Sequence, residues 1–135
     1  MNIPFRLTIA LLGWLSFTAC EAAPLDDILK TNQAAGATAF SAARGETLWT
    51  TDHPDPEAPG KVRNCSTCHG KDLSKPGRHA TTGKEIEPMA PSANAKRYTD
   101  AKTIEKWFTR NCKWVLGREC TPQEKGDVLS YLRTK

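Results

Sequence analysis

Cys65-Ser66-Thr67-Cys68-His69 is a C-x-x-C-H pentapeptide, and its spacing governs how the rest of the chain is read. Two thiols three positions apart can each add to a vinyl group of a haem. The histidine that follows is then held beneath the iron as an axial ligand. The rival chemistries fit less well. A thioredoxin-like redox pair expects a hydrophobic strand before the first cysteine, whereas Lys61-Val62-Arg63-Asn64 precedes Cys65. A zinc site needs a second closely spaced ligand pair, and Cys112 and Cys120 have seven residues between them. The motif therefore predicts one covalently attached haem c, bound through Cys65 and Cys68, with His69 as proximal ligand.

The N-terminus points to export. Arg6 closes a short positive region, and Leu7 to Ala19 is an uncharged, mostly apolar run. At about 13 residues it is too short to span a bilayer, which takes about 20, but it suits the core of a signal peptide. Cleavage after Ala22 leaves the small residues Cys20 and Ala22 at the two positions the peptidase reads. Residues 1–22 are thus expected to be a signal peptide, and residues 23–135 one mature, soluble domain in the periplasm. Phe17-Thr18-Ala19-Cys20 competes as a lipobox that would leave a lipid anchor on Cys20, although phenylalanine is a poor first residue for it. No other stretch is apolar enough to cross a membrane.

The mature length suits a single small domain, in which a bound haem would supply much of the apolar filling. The formal charge of +4 survives cleavage, because Arg6 and Glu21 cancel. Basic residues are dispersed, without an aromatic-interleaved groove, which argues against nucleic-acid binding. A weakly basic face for an acidic redox partner and an ordinary solvated surface both remain open. Of five cysteines, Cys20 falls in the leader and Cys65 and Cys68 in the haem motif. Cys112 and Cys120 are left over in an oxidising compartment. A disulfide between them is expected, and a pair of buried free thiols is disfavoured there.

Apolar spacing gives an all-α reading. A short amphipathic helix over 25–34 is stopped by Gly36, and a second covers 38–50. Residues 51–60 and 70–92 are rich in proline or glycine and read as loop. Thr99 or Asp100 caps a third helix through Asn111, with Ile104, Trp107 and Phe108 as its stripe. Thr121-Pro122-Gln123-Glu124 is a capping box with proline at the first helical position, followed by the apolar Val128, Leu129, Tyr131 and Leu132. Gly45 in the second helix allows close backbone approach to this last helix, with Trp49 and Tyr131 filling the flanks. A pair of helices bracketing C-x-x-C-H is the layout of a class I cytochrome c fold around one covalent haem c. No segment shows a strand period.

The second axial ligand decides what such a haem can do, and the residues alone leave candidates open. Met89, the one methionine of residues 23–135, lies 20 positions past His69, early for a distal ligand. Asn111 lies 42 positions past His69, beside Cys112. Its neutral amide oxygen favours the hard ferric ion over ferrous iron. His53 and His79 read as solvent-exposed histidines.

Thr82-Gly83-Lys84-Glu85-Ile86-Glu87-Pro88-Met89-Ala90-Pro91-Ser92-Ala93, Arg97-Tyr98-Thr99-Asp100, Glu105-Lys106-Trp107, Arg110-Asn111-Cys112 and Gly117-Arg118-Glu119-Cys120-Thr121-Pro122 closely resemble the sphaeroides haem protein family. These are small class I-type periplasmic cytochromes c. The likeness covers nearly all of residues 23–135. It implies haem at Cys65 and Cys68, His69 as proximal and Asn111 as distal ligand, and a Cys112–Cys120 disulfide. In the family the asparagine binds oxidised iron and leaves on reduction, so that oxygen or nitric oxide can bind. The resemblance further implies a dihaem cytochrome c and a membrane cytochrome b as electron-transfer partners. Met89 stands where the family carries leucine, and Trp114 adds bulk beside the distal side. Two functions follow. The first is an electron-accepting protein that binds small diatomic ligands, with room for weak reductase activity toward oxygen or a nitrogen oxide. The second is a plain six-coordinate electron carrier using His69 and Met89.

Overall fold

The computed structural model describes residues 23–135. The expected leader at 1–22, its cleavage after Ala22 and the lipobox cysteine Cys20 lie outside the described residues. No described helix is long and apolar enough to cross a membrane.

Among the described residues five helices follow from local signals of differing strength: α1 (Ala23–Ala34), α2 (Ala42–Thr50), α3 (Ser66–His69), α4 (Ala101–Leu116) and α5 (Pro122–Leu132). In α1 the buried Leu25, Ile28 and Leu29 recur at helical spacing on one face. The second helix begins four residues later than its apolar spacing suggests, because Ser41 caps it. The Ser41 hydroxyl accepts from the Arg44 N–H at 3.3 Å. Thr38, expected inside that helix, instead donates its N–H and hydroxyl to Gln123 Oε1 at 2.8 and 2.9 Å. The third long helix also differs from expectation. Asp100 caps it as read, accepting from the Lys102 and Thr103 amides, but it continues past Asn111 to Leu116. Gly117 ends it at φ 70°, a left-handed position that suits glycine. Asn111 and Cys112 therefore sit within the helix rather than at its end. The α5 capping box forms as its sequence dictates, with Thr121 and Glu124 exchanging bonds.

Two short antiparallel ladders close the loops. β1 (His53–Pro54) pairs with β2 (Val62–Arg63), and β3 (Gly77–Arg78) with β4 (Glu85–Ile86). The all-α expectation is corrected to this extent. Strands of two residues are too short to show a period of two, so no alternation could announce them.

The core gathers around α5. On one side Leu129 packs with Leu25, Ile28, Leu29 and Ile104. On the other, Val128, Tyr131 and Leu132 pack with Trp49, Leu73 and Ala90. The expected close crossing of α2 and α5 is present. A Cβ added at Gly45 would lie 2.1 Å from the Asp127 carbonyl oxygen and 2.9 Å from Tyr131 Cβ. The Trp49 and Tyr131 rings flank it, 6.2 Å apart.

Asp127 ties the same crossing together. Its buried carboxylate accepts from the Ser41 N–H at 2.7 Å, Arg44 Nε and Nη2 at 2.8 and 2.9 Å, and Gln123 Nε2 at 3.0 Å. Burial pushes this carboxyl upward, but the donors from Arg44, Ser41 and Gln123 together outweigh it and hold it below the usual range. Four donors on one carboxylate meet the condition for burying a charge without a large penalty.

Candidate functional site

The C-x-x-C-H turn is docked onto the end of α2. Cys65 donates its N–H to the Trp49 carbonyl at 3.2 Å. Asn64, just before it, donates from Nδ2 to Thr50 O at 3.2 Å and Asp52 Oδ1 at 2.7 Å, and its Oδ1 accepts the Thr67 N–H at 3.1 Å. One side chain thus fixes both the start of the turn and its support. On the far side β3 passes directly across it: a Cβ at Gly77 would lie 2.3 Å from the Cys68 carbonyl oxygen. The Trp49 ring stands 5.3 Å from the His69 ring, limiting how the imidazole can turn.

Beside this turn lies a cavity of about 800 Å³, lined among others by Cys65, Cys68, His69, Met89, Asn111 and Trp114. That volume falls in the range of about 300–1,000 Å³ usual for sites that enclose a cofactor. Cys65 and Cys68 are each half-buried, and neither is in a disulfide. Burial, together with the charge of Cys68, pushes the Cys65 thiol up to about 12. A disulfide oxidoreductase needs the opposite, a thiolate at neutral pH, so the burial of Cys65 runs against the thioredoxin-like reading. Among the described residues no cluster of histidine, cysteine and carboxylate side chains suits a metal ion bound directly by the protein.

His69 is half-buried, and its Nδ1 is buried without a hydrogen-bond partner. Burial, reinforced by the nearby Arg97 cation, lowers its pKa to about 4. At neutral pH the imidazole is therefore uncharged and offers a lone pair. Two thiols in vinyl-addition spacing, a neutral imidazole next to them and a cavity against all three fit a haem.

The candidate distal residues come from two elements. Met89 lies in a strap whose backbone is held tightly. Its N–H donates to Leu73 O at 3.0 Å, and its carbonyl accepts from the Tyr98 hydroxyl at 2.8 Å. Arg97 donates to the carbonyls of Pro88 and Glu87 at 2.9 and 2.6 Å. Tyr98 reaches Met89 from φ 62°, a left-handed backbone that is uncommon for a bulky residue. The Met89 side chain packs on the cluster that holds Trp49. Asn111 is exposed on α4 and lines the same cavity. His79 lines the cavity and is exposed, as expected, with Nδ1 accepting from the Thr81 and Thr82 amides at 3.3 and 3.2 Å. His53, expected in solvent, is half-buried in β1, because its strand pairs with the buried Arg63.

Cys112 and Cys120 form a disulfide, with Cα atoms 5.6 Å apart, that joins the last turns of α4 to the cap of α5. Lys113 and Glu119 pair across the same loop at 3.1 Å. The chain-entropy model assigns a loop this short about 2–3 kcal/mol of stabilisation. Cys112→Ser/Cys120→Ser is expected to lower the unfolding free energy by about that amount, read by denaturant titration of the haem-loaded protein. Alkylation of the denatured, unreduced protein should leave both cysteines unmodified.

These features meet a close counterpart. The chain is 45% identical to the cytochrome c-type protein SHP of Cereibacter sphaeroides, over 84% of its own length and 85% of that protein's. It belongs to the sphaeroides haem protein family.

A family described as a domain of unknown function (DUF1924) also matches residues 35–132. The solved structure of oxidized SHP, an oxygen-binding cytochrome c, agrees with a TM-score of 0.73 at 40% identity, covering 82% of this chain and 96% of that one. Oxidized cytochrome c'' of Methylophilus methylotrophus agrees with a TM-score of 0.72 at 32% identity, covering 83% and 94%. The sequence of that cytochrome is 42% identical over 56% of this chain and 53% of its own. Its solution structure, which addresses haem-ligand detachment, agrees with a TM-score of 0.68. The fold is therefore of cytochrome c type, and the cofactor of this member of the sphaeroides haem protein family is one haem c.

Three residues beside the family's site escaped the sequence reading as chemistry. Arg97 and Tyr98 brace the Met89 strap, and Arg63 carries its guanidinium 4.3 Å above the Trp114 ring. Nothing local marks them, since a surface arginine and a buried one look alike in sequence.

Proposed function

We propose that the chain is a periplasmic, class I-type monohaem cytochrome c that accepts electrons and binds small diatomic ligands once Asn111 withdraws. Haem c, joined through thioethers to Cys65 and Cys68, supplies an iron centre that changes oxidation state and takes neutral diatomic ligands when ferrous. His69 provides the proximal nitrogen, kept neutral by burial and oriented by Trp49.

Asn111 is the distal residue in this reading. The observation that carries it is the contrast between an exposed amide on α4 and a methionine already packed and strapped, both lining one cavity. The Asn111 amide oxygen is a hard neutral donor that holds ferric iron more firmly than ferrous. With haem c bound, reduction would weaken the hold on this side chain, while the disulfide at Cys112 keeps the helix backbone in place. SHP is an oxygen-binding cytochrome c, and cytochrome c'' was examined for haem-ligand detachment, which supports the same behaviour here. Its partners in this account are a dihaem cytochrome c and a membrane cytochrome b, which deliver the electrons.

The plain electron carrier remains the competing reading, because Met89 lines the same cavity. Substitution separates them. Asn111→Ala should retain haem, turn the ferric spectrum from six-coordinate low-spin toward high-spin and leave the ferrous spectrum nearly unchanged. Met89→Leu should change neither state appreciably, since leucine refills a packing position of similar volume. The reverse pattern would make Met89 the distal ligand and establish the carrier.

A further inference from the structure

Arg63 is a buried cation that the proposed function leaves unexplained. It lies in β2, two residues before Cys65, and is only 4% exposed. Burying a guanidinium is costly unless it is paired and its geometry is well used. Its Nη1 pairs with Asp55 Oδ1 at 3.1 Å, while Nε is buried with no partner. Asp55 is itself held, its N–H donating to the Lys61 carbonyl at 2.9 Å and its Oδ1 accepting the Glu57 N–H at 2.9 Å.

The face of that guanidinium lies 4.3 Å from the centre of the Trp114 ring, well inside the range for a cation–π contact. The β1–β2 hairpin thus reaches across to α4 and grips an indole. Trp114 is half-buried and lines the cavity, and it follows Asn111 by three residues, so the two are neighbours along one helix face. The disulfide at Cys112 fixes the backbone between them. Trp114 is therefore a large side chain held by Arg63, beside a small, exposed one.

We propose that Trp114, pinned by Arg63, is the wall that sets the size limit for any ligand replacing Asn111. The inference rests on the ligand-binding reading. When Asn111 swings away, the volume it leaves is bordered by an indole that cannot follow. A diatomic molecule fits the space of a carboxamide, whereas a branched ligand must displace the indole. Arg63 is a positioning residue in this arrangement, acting through Trp114 and not on the ligand.

The test compares carbon monoxide with methyl and tert-butyl isocyanide on the ferrous, haem-loaded protein by flash photolysis and equilibrium titration. The native protein should take carbon monoxide readily and tert-butyl isocyanide poorly. Trp114→Ala should raise tert-butyl isocyanide association by roughly 10–200-fold, the discrimination that a single methylene commands in an apolar pocket, and carbon monoxide association far less. Arg63→Met keeps the bulk but removes the cation, and should shift the same ratio in the same direction by a smaller factor. Trp114→Phe should keep most of the discrimination. A merely structural role for Arg63 would alter stability and leave the ratio untouched. Carbon monoxide binding with an unchanged isocyanide ratio in both Trp114→Ala and Arg63→Met would overturn the wall alone. A native ferrous protein that binds neither ligand would overturn the ligand-binding reading, and the wall with it.

Discussion

Cys65→Ala/Cys68→Ala should yield a chain with no covalently held haem, since both carbons of attachment lose their sulfur partners. A haem-stained denaturing gel reads this directly: the native protein stains, and the double variant does not. The effect extends beyond the cofactor. A cavity of about 800 Å³ would lose the group that fills it. The surrounding side chains can collapse only partially, and each unfilled region costs contacts and burial. His69 would be left half-buried and neutral, with nothing to occupy its lone pair. The variant should therefore be much less stable as well as colourless. A haem-stained band surviving in it would remove covalent attachment from the account.

The second large effect lies at the helix crossing. In an ordinary exposed helix Gly→Ala is stabilising by up to about 1 kcal/mol. Gly45→Ala should do the reverse here, because the new methyl would meet Asp127 backbone at 2.1 Å, and backbone cannot rotate aside. Separating α2 from α5 to make room would also strain the Asp127 bonds to Ser41 and Arg44 and open the packing of Trp49 on Tyr131. A loss of about 2–4 kcal/mol is expected, at the upper end for overpacking because a carboxylate network moves with it. Thermal unfolding of the haem-loaded variant measures this. A Tm equal to or above the native value would show that the crossing tolerates a side chain.

How much was legible in the sequence depended on how local each determinant is. The C-x-x-C-H turn and the α5 capping box are short-range patterns, and each forms where its residues stand. The α4 stripe divides, with Ile104 buried, Phe108 half-buried and Trp107 46% exposed, although all three line the cavity. The Gly45 crossing was legible because a lone glycine amid alanine and tryptophan in a helix demands a packing reason. The Cys112–Cys120 pairing followed from elimination and is present. Boundaries were less legible. Ser41 wins the α2 cap through Asp127, a residue 86 positions away, and no window of local sequence contains both. The end of α4 was read at Asn111, although Gly117 is the stronger stop signal. The two-residue ladders arise from loop closure and carry no pattern of their own. At the site, the cavity brings together Cys65, Cys68, His69 and both candidate distal residues, which are 46 positions apart at their extremes. The bracing by Arg97 and Tyr98 and the Arg63 grip on Trp114 depend on tertiary proximity, which composition and periodicity do not encode.

The central claim, a distal ligand that leaves on reduction, is tested most directly by the absorption spectrum of the native protein in both oxidation states, with and without carbon monoxide. The account predicts a low-spin ferric spectrum without the far-red methionine–iron band. On reduction it predicts a high-spin ferrous spectrum that shifts when carbon monoxide is added. A ferric far-red band, with a low-spin ferrous spectrum indifferent to carbon monoxide, would contradict it and identify a six-coordinate His69/Met89 electron carrier.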